Sequence, residues 1–245
     1  MKILFSPSET KFSGGKPLKI EKSCFIFPKL FEKRIEALNY YQNYINTATP
    51  ANLEKLFGTK KKDLLERYKT DIFSQPLMKA VQRYDGIAYD YLKYTTLSTQ
   101  AQNYIDANTI IFSNLLGPLK ASDAIPEYKF KQGEKLGDIA LEKFYCDHFT
   151  KALDEYLQDE DVIDLRAGFY EKFYKITQPY TTMKFIKDGK VVSHWAKAYR
   201  GIVLREMAKN DIQTIEQLMD MEVENLTIQE IKKQKNKTEI VYTID

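Results

Sequence analysis

Apolar and polar positions follow several distinct periods along this chain. The run Ile3-Leu4-Phe5 stops at Ser6-Pro7, which predicts a short buried strand leading into a loop. Leu30, Phe31, Ile35, Leu38, Tyr41 and Ile45 recur at helical spacing, and Thr49-Pro50 predicts an N-cap followed by proline at the first position of a new helix. Helices are expected from there to about Ala80. Tyr84 to Tyr89 interrupts them with a turn, a helix capped at Ser98 follows, and Ile110-Ile111 opens a strand. Gly133 to Leu157 reads as one long amphipathic helix with Leu136, Ile139, Ala140, Phe144, His148, Leu153 and Leu157 on one side, ended by Asp159-Glu160-Asp161. Val162 to Leu165 predicts a buried strand. Met183 to Ile186 and Val191 to His194 flank Lys187-Asp188-Gly189-Lys190, a strong hairpin signal. A basic helix comes next, then short helical pieces from Thr214 to Glu230 with Thr214-x-x-Gln217 as a capping box, and Glu239 to Ile244 as a last strand. With no internal repeat and no low-complexity linker, residues 1–245 are expected to form one mixed α/β unit.

The basic helix holds the most informative stretch, Lys197-Ala-Tyr-Arg200-Gly201-Ile-Val-Leu-Arg205. At about 100° per residue, Lys197, Gly201 and Ala208 fall near one line, with Arg200 and Arg205 on either side. Such a face lets an anion approach the backbone while guanidinium forks reach it from two directions, which suits phosphate. The same spacing also describes a solvated basic face.

Composition narrows the choice of ligand only slightly. Net charge is +3, from 37 basic and 34 acidic side chains, so the whole chain lacks the charge of a strongly basic nucleic-acid binder. Charge is nevertheless uneven: Met1 to Tyr40 has eight Lys/Arg against four Asp/Glu, whereas Lys120 to Lys175 has nine against thirteen. Two cysteines and two histidines, with no Cys-x-x-Cys pair, exclude a zinc ribbon or a disulfide framework. Cys146 and His148 are expected to pack rather than react. No cofactor and no stoichiometric iron are expected, since ferrous sites draw on His and carboxylate ligands and the two histidines are far apart in sequence. Apolar runs fall short of the roughly 18 residues of a membrane span and no signal peptide opens the sequence, so a soluble cytoplasmic protein with no membrane partner is expected.

Ser6-Pro7-Ser8-Glu9-Thr10-Lys11 lies just beyond the first strand, where α/β sheets place ligand-binding groups. Its hydroxyls and lysine suit an oxyanion, although without internal glycines it is neither a Walker A loop nor a dinucleotide fingerprint. Arg166, where a strand runs into Ala167-Gly168, points either into a cleft or to the surface.

Five segments, Ser6-Pro7-Ser8-Glu9-Thr10, Tyr84-Asp85-Gly86-Ile87-Ala88-Tyr89, Phe112 to Leu119, Glu127-Tyr128-Lys129-Phe130 and Lys197-Ala-Tyr-Arg200-Gly201, occur in the order seen in the YaaA peroxide-stress proteins. The chain resembles that family over its whole length. The resemblance implies a single compact α/β domain of unusual topology and a helix-hairpin-helix-like element mapping to Ser113 through Leu119. It further implies sequence-independent DNA binding in a basic cleft and a role in limiting oxidative DNA damage. The implied phosphate-binding set is Lys197, Arg200, Gly201, Arg205, Ser6, Thr10, Lys11, Asn114, Gly117 and Lys129, in a protein expected to be monomeric. Two positions depart from the family pattern: Asn114 stands where it has glycine, and Glu9 where it often has lysine. Tyr84, Tyr89 and Trp195 are available to stack on an unpaired base. One alternative is an enzyme acting on a nucleotide or nucleic-acid phosphate in the same cleft, with Glu9 or Asp85 as general base. Another is a scaffold whose lysine run, Lys232 to Lys237, contacts acidic partners.

Overall fold

The computed structural model describes the backbone of residues 1–245 and all side chains except those of Val191, Ser193 and His194. In chain order the strands are β1 (Lys2–Phe5), β2 (Thr10–Lys11), β3 (Met78–Lys79), β4 (Tyr84–Asp85), β5 (Thr109–Ser113), β6 (Gly117–Lys120), β7 (Ala124–Ile125), β8 (Val162–Leu165), β9 (Tyr180–Lys187), β10 (Lys190–Val191), β11 (Leu226–Gln234) and β12 (Lys237–Ile244). The helices are α1 (Phe31–Thr47), α2 (Pro50–Phe57), α3 (Lys62–Tyr68), α4 (Ala80–Arg83), α5 (Ile87–Leu92), α6 (Thr99–Asn108), α7 (Leu141–Leu157), α8 (Ser193–Lys209) and α9 (Ile215–Asp220).

One sheet runs in the order β11-β12-β9-β8-β1-β5-β6, with β10 paired to β9, and two ribbons, β2-β4 and β3-β7, lie outside it. Strands β12, β9, β8, β1 and β5 are mutually parallel. β5 and β8 are buried throughout, as parallel strands covered on both faces must be. Taken in sequence, the five parallel strands stand in the spatial order second, first, third, fourth, fifth, so the direction of winding reverses between β1 and β8. That reversal leaves a crevice at the carboxyl ends of the two strands.

Local chemistry sets many of the boundaries as expected. The hydroxyls of Thr49 and Ser98 accept from the amides of Asn52 and Ala101, and Thr214 with Gln217 forms the capping box. Asp188 and Gly189, both at positive φ, close the β9–β10 hairpin. Its second strand stops at Val191, because the chain enters α8 at Ser193; the side chains of Val191 and His194 in that segment lie outside the described residues.

Three expectations are corrected. α7 begins at Leu141 rather than at Gly133, because Gly133 and Gly137 adopt left-handed turns. Its buried stripe is Leu141, Tyr145, Phe149, Leu153 and Leu157, leaving His148 exposed. The helical pieces expected as far as Glu230 stop earlier: residues 226–234 form β11, which pairs antiparallel with β12 and carries part of the lysine run into a hairpin. The Ser113 to Leu119 segment is a turn between β5 and β6, both in the main sheet, and no helix flanks it on either side. It therefore lacks the layout of a helix-hairpin-helix.

Two fully buried arginines tie the loops to this core. Arg34 donates to the carbonyls of Leu116, Ile26 and Pro118. Arg83 donates to those of Phe12, Gly14, Pro76 and Ile125, at 2.6–3.3 Å. Each carbonyl cluster substitutes for water around a charge that burial would otherwise disfavour.

Candidate functional site

The crevice at the reversal of the sheet opens into a cavity of about 450 Å³. Phe5 ends β1 and Leu165 ends β8, and both side chains reach its floor beside Tyr89 and Tyr170. The loop after β1 supplies one wall through Ser6, Pro7, Ser8, Glu9 and Thr10, and Gln132 closes that side. Gly86, Ile87 and Ala88 at the start of α5 form the opposite wall, and Lys197 and Arg200 of α8 complete the lining.

Hydrogen bonds fix the loop after β1 from several directions. The Ser6 hydroxyl accepts from the Ala167 amide at 2.8 Å, and the Tyr89 hydroxyl donates to the Ser6 carbonyl at 2.9 Å. The Glu9 carboxylate accepts from the Gln132 amide at 3.0 Å and lies 3.7 Å from Lys129 Nζ, which also donates to the Glu9 carbonyl at 3.2 Å. Lys11 turns back beneath the loop, donating to the carbonyls of Ser8 and Glu9 at 3.1 and 3.4 Å. Its ammonium sits 3.9 Å from the Tyr128 ring centroid and 5.2 Å from that of Tyr84. Burial there, with Lys129 adding repulsion, holds the Lys11 pKa well below the usual lysine range.

Of the residues expected from sequence, Ser6, Thr10, Lys197 and Arg200 share the cavity. The structure corrects several others. Gly201 is buried against α5, and a Cβ there would overlap the Ala88 carbonyl oxygen, so its role is close helix packing rather than backbone approach to an anion. Ala208, on the same line, is also core. Arg205 donates through Nη1 to the carbonyls of Leu92 and Lys93 and to the Thr96 hydroxyl, at 3.1–3.3 Å, satisfying the end of α5. Asn114 is buried, with Nδ2 donating to the Phe130 carbonyl at 3.2 Å. Gly117 sits at φ +69° where a Cβ would enter the Tyr145 ring, so both residues shape the core. Lys11 and Lys129 brace the loop from below.

The stacking candidates separate as well. Tyr84 is buried with its hydroxyl 3.0 Å from that of Tyr128, and Trp195 is exposed near Lys187 and Tyr199, away from the cavity lining; Tyr89 alone of the three reaches it. Asp85 pairs with Thr10 in the β2–β4 ribbon and lies outside the lining, whereas Glu9 is part of it. Arg166 is buried and lies outside this cavity, in the lining of a second pocket: Nε and Nη2 pair with both Asp164 oxygens at 2.8 Å, and Nη1 caps the carbonyls of Tyr170 and Tyr174. Its acceptors are all local, Asp164 two residues before it and the Tyr170 and Tyr174 carbonyls after it, whereas no such set surrounds Arg200 among the described residues.

Arg200 differs from the other enclosed arginines. It is mostly covered and faces the cavity, and among the described residues no side chain or carbonyl accepts a hydrogen bond from it. Desolvation lowers its pKa, with Asp164, already paired to Arg166, offsetting this through its charge. A partly desolvated guanidinium with all its donors available is a binding group for an anion. Lys197, on the same face, is exposed at the rim. Among the described residues no three His, Cys, Asp or Glu side chains converge as a metal site.

These features define a mixed α/β protein with a pocket, lined in part by Lys197 and Arg200, at the switch point of a mostly parallel sheet. Sequence comparison gives it a family: the profile described as peroxide stress protein YaaA matches residues 1–232, and the chain belongs to that family. An uncharacterised protein of Campylobacter jejuni is 48% identical over 244 residues, covering 100% of this chain and 99% of its own. A UPF0246 protein of Corynebacterium efficiens is 32% identical over 218 residues, covering 85% of each chain. One of Fusobacterium nucleatum is 25% identical across 93% of both. No helix is long and apolar enough to cross a membrane.

Proposed function

We propose that this peroxide-stress protein binds DNA through its backbone, at the mouth of the cavity between β1 and β8, and thereby limits oxidative damage to it. The observation that carries this reading is Arg200, a mostly covered guanidinium beside Lys197 whose donors meet no acceptor among the described residues. A phosphodiester supplies what that pair lacks: a fixed negative charge and acceptor oxygens matched to a guanidinium fork. Ser6 and Thr10 hydroxyls on the facing wall add neutral donors. Lys11 and Lys129 act indirectly, by holding the loop in place. Contacts of this kind position a backbone and carry no base information, so recognition is independent of sequence.

Fluorescence anisotropy across a salt series tests the reading. With two phosphates neutralised by Lys197 and Arg200, log K is expected to fall with log salt at a slope of at least about −1.8 on duplex DNA. Replacing both residues with alanine should remove about that much of the slope. An unchanged slope and affinity in the double variant would refute the assignment.

A further inference from the structure

A backbone phosphate on Arg200 and Lys197 needs only a rim, yet a cavity of about 450 Å³ lies behind that rim. The volume is within the roughly 300–1,000 Å³ range of sites that enclose a small organic molecule. Its floor is apolar and partly aromatic, from Phe5, Tyr89, Leu165 and Tyr170. Tyr89 and Phe5 meet edge to face, with centroids 5.6 Å apart, so the floor is packed in place before any ligand arrives. The hydroxyl of Tyr89 is already used on the Ser6 carbonyl. The loop after β1 and Gln132 add polar groups at Ser6, Ser8, Glu9 and Thr10 and at Gln132 itself, and Lys197 and Arg200 supply the cations. An anionic mouth-group joined to a flat, mostly apolar body with hydrogen-bonding edges fits this distribution.

We propose that the cavity takes one nucleotide unit, with its phosphate on Arg200 and Lys197 and its base on the floor formed by Phe5, Leu165, Tyr89 and Tyr170. The proposal rests on the phosphate role of Arg200 given above. A base stacked within a duplex cannot reach into this cavity, so the unit is either a free mononucleotide or one standing out of the DNA stack. Glu9, held by Gln132 and Lys129, keeps acceptor capacity for a base amino group, as carboxylates do in base readout.

Three duplexes separate these sources: fully paired, carrying one unpaired nucleotide, and carrying an abasic residue at the same place, which keeps the distortion and the phosphate but lacks the base. Calorimetry with the four deoxynucleoside monophosphates and with deoxyribose 5-phosphate runs in parallel. For an extruded nucleotide, the base-bearing bulge should bind at least about tenfold more tightly than the abasic bulge. For a free nucleotide, the bulges should bind alike and at least one monophosphate should exceed deoxyribose 5-phosphate by a similar factor. Ala167→Phe, which adds bulk at a lining position and keeps the backbone amide that the Ser6 hydroxyl accepts from, should abolish whichever preference is seen while leaving paired-duplex affinity intact. The comparison on the unaltered protein stands even if that variant fails to fold. Equal binding of both bulges together with no advantage of any monophosphate over deoxyribose 5-phosphate would overturn the proposal. Absence of all DNA binding at low salt, with a monophosphate still bound in preference to deoxyribose 5-phosphate, would defeat the DNA reading and leave the cavity assignment standing.

Discussion

Replacing Arg200 with methionine separates a ligand-binding arginine from a structural one, because the two roles predict stability changes of opposite sign. Arg34, Arg83 and Arg166 each donate to three or more protein oxygens, so truncating any of them strands carbonyls or a carboxylate in the core. Loss of such a partner typically costs about 3–5 kcal/mol. Arg200 has no such acceptors among the described residues, and burial disfavours its charge. Methionine keeps much of the side-chain volume and removes the desolvated cation, which is expected to stabilise the unliganded protein. Because the group is not wholly enclosed, the gain is set at the low end, about 1 kcal/mol. For a chain of this size that raises Tm by about 2–4 °C. Binding should move the other way: a hydrogen bond to a charged group is worth about 1.5–3 kcal/mol, hence a loss of about 10- to 150-fold in DNA affinity. The salt slope should flatten by about 0.9. Differential scanning calorimetry and anisotropy on the same preparation read both effects. A Tm lowered by more than about 3 °C would refute the reasoning, since it would mean that Arg200 is held by the fold and not reserved for a ligand.

The remaining predictions concern the supports of the site. Gly201→Ala forces a methyl group into the Ala88 carbonyl, and overpacking of about 1–3 kcal/mol should outweigh the 0.5–1 kcal/mol gained in helix propensity, giving a lower Tm by calorimetry. Arg205→Ala removes the bonds that close the end of α5, so it should lower the urea midpoint while leaving the salt slope of DNA binding unchanged. Burial pushes the Asp123 carboxyl up to about 6, against the amides of Ile26 and Lys120 that favour its charge. The folded state therefore holds the proton more tightly than the unfolded state, and this contribution to stability is complete below about pH 4 and lost as pH rises through 6. Asp123→Asn, which keeps an acceptor for both amides, should flatten stability against pH between 4 and 7 by up to about 3 kcal/mol in urea titrations.

The elements were largely legible in the sequence because short-range rules govern them. Ile3-Leu4-Phe5 and Val162 to Leu165 become buried parallel strands, and Thr49, Ser98 and Thr214 cap the helices that follow them, since a cap needs only its neighbours within a turn. Failures occurred where a local pattern was ambiguous. Leu226 to Gln234 is exposed along most of its length and carries no clear strand period, so only pairing with β12 makes it a strand. Apolar residues after Gly133 mimicked a helix that the left-handed glycines forbid.

The sequence by itself determined which side chains are cations, hydroxyls and aromatics, and that Ser6 to Thr10 follows a first strand while Lys197 to Arg205 lies on one helix. It did not determine which of those groups face a ligand. Arg166, Arg200 and Arg205 look alike along the chain, yet one is closed by Asp164, one is spent on the carbonyls ending α5, and one is left open to a cavity. Gly201 illustrates the same division: its bare side suits either an anion or a helix, and α5 occupies it. Tertiary structure decided these roles because hydrogen bonds saturate. A donor serves a ligand only when the fold brings no acceptor to it, and for Arg205 the acceptors come from a segment more than a hundred residues away.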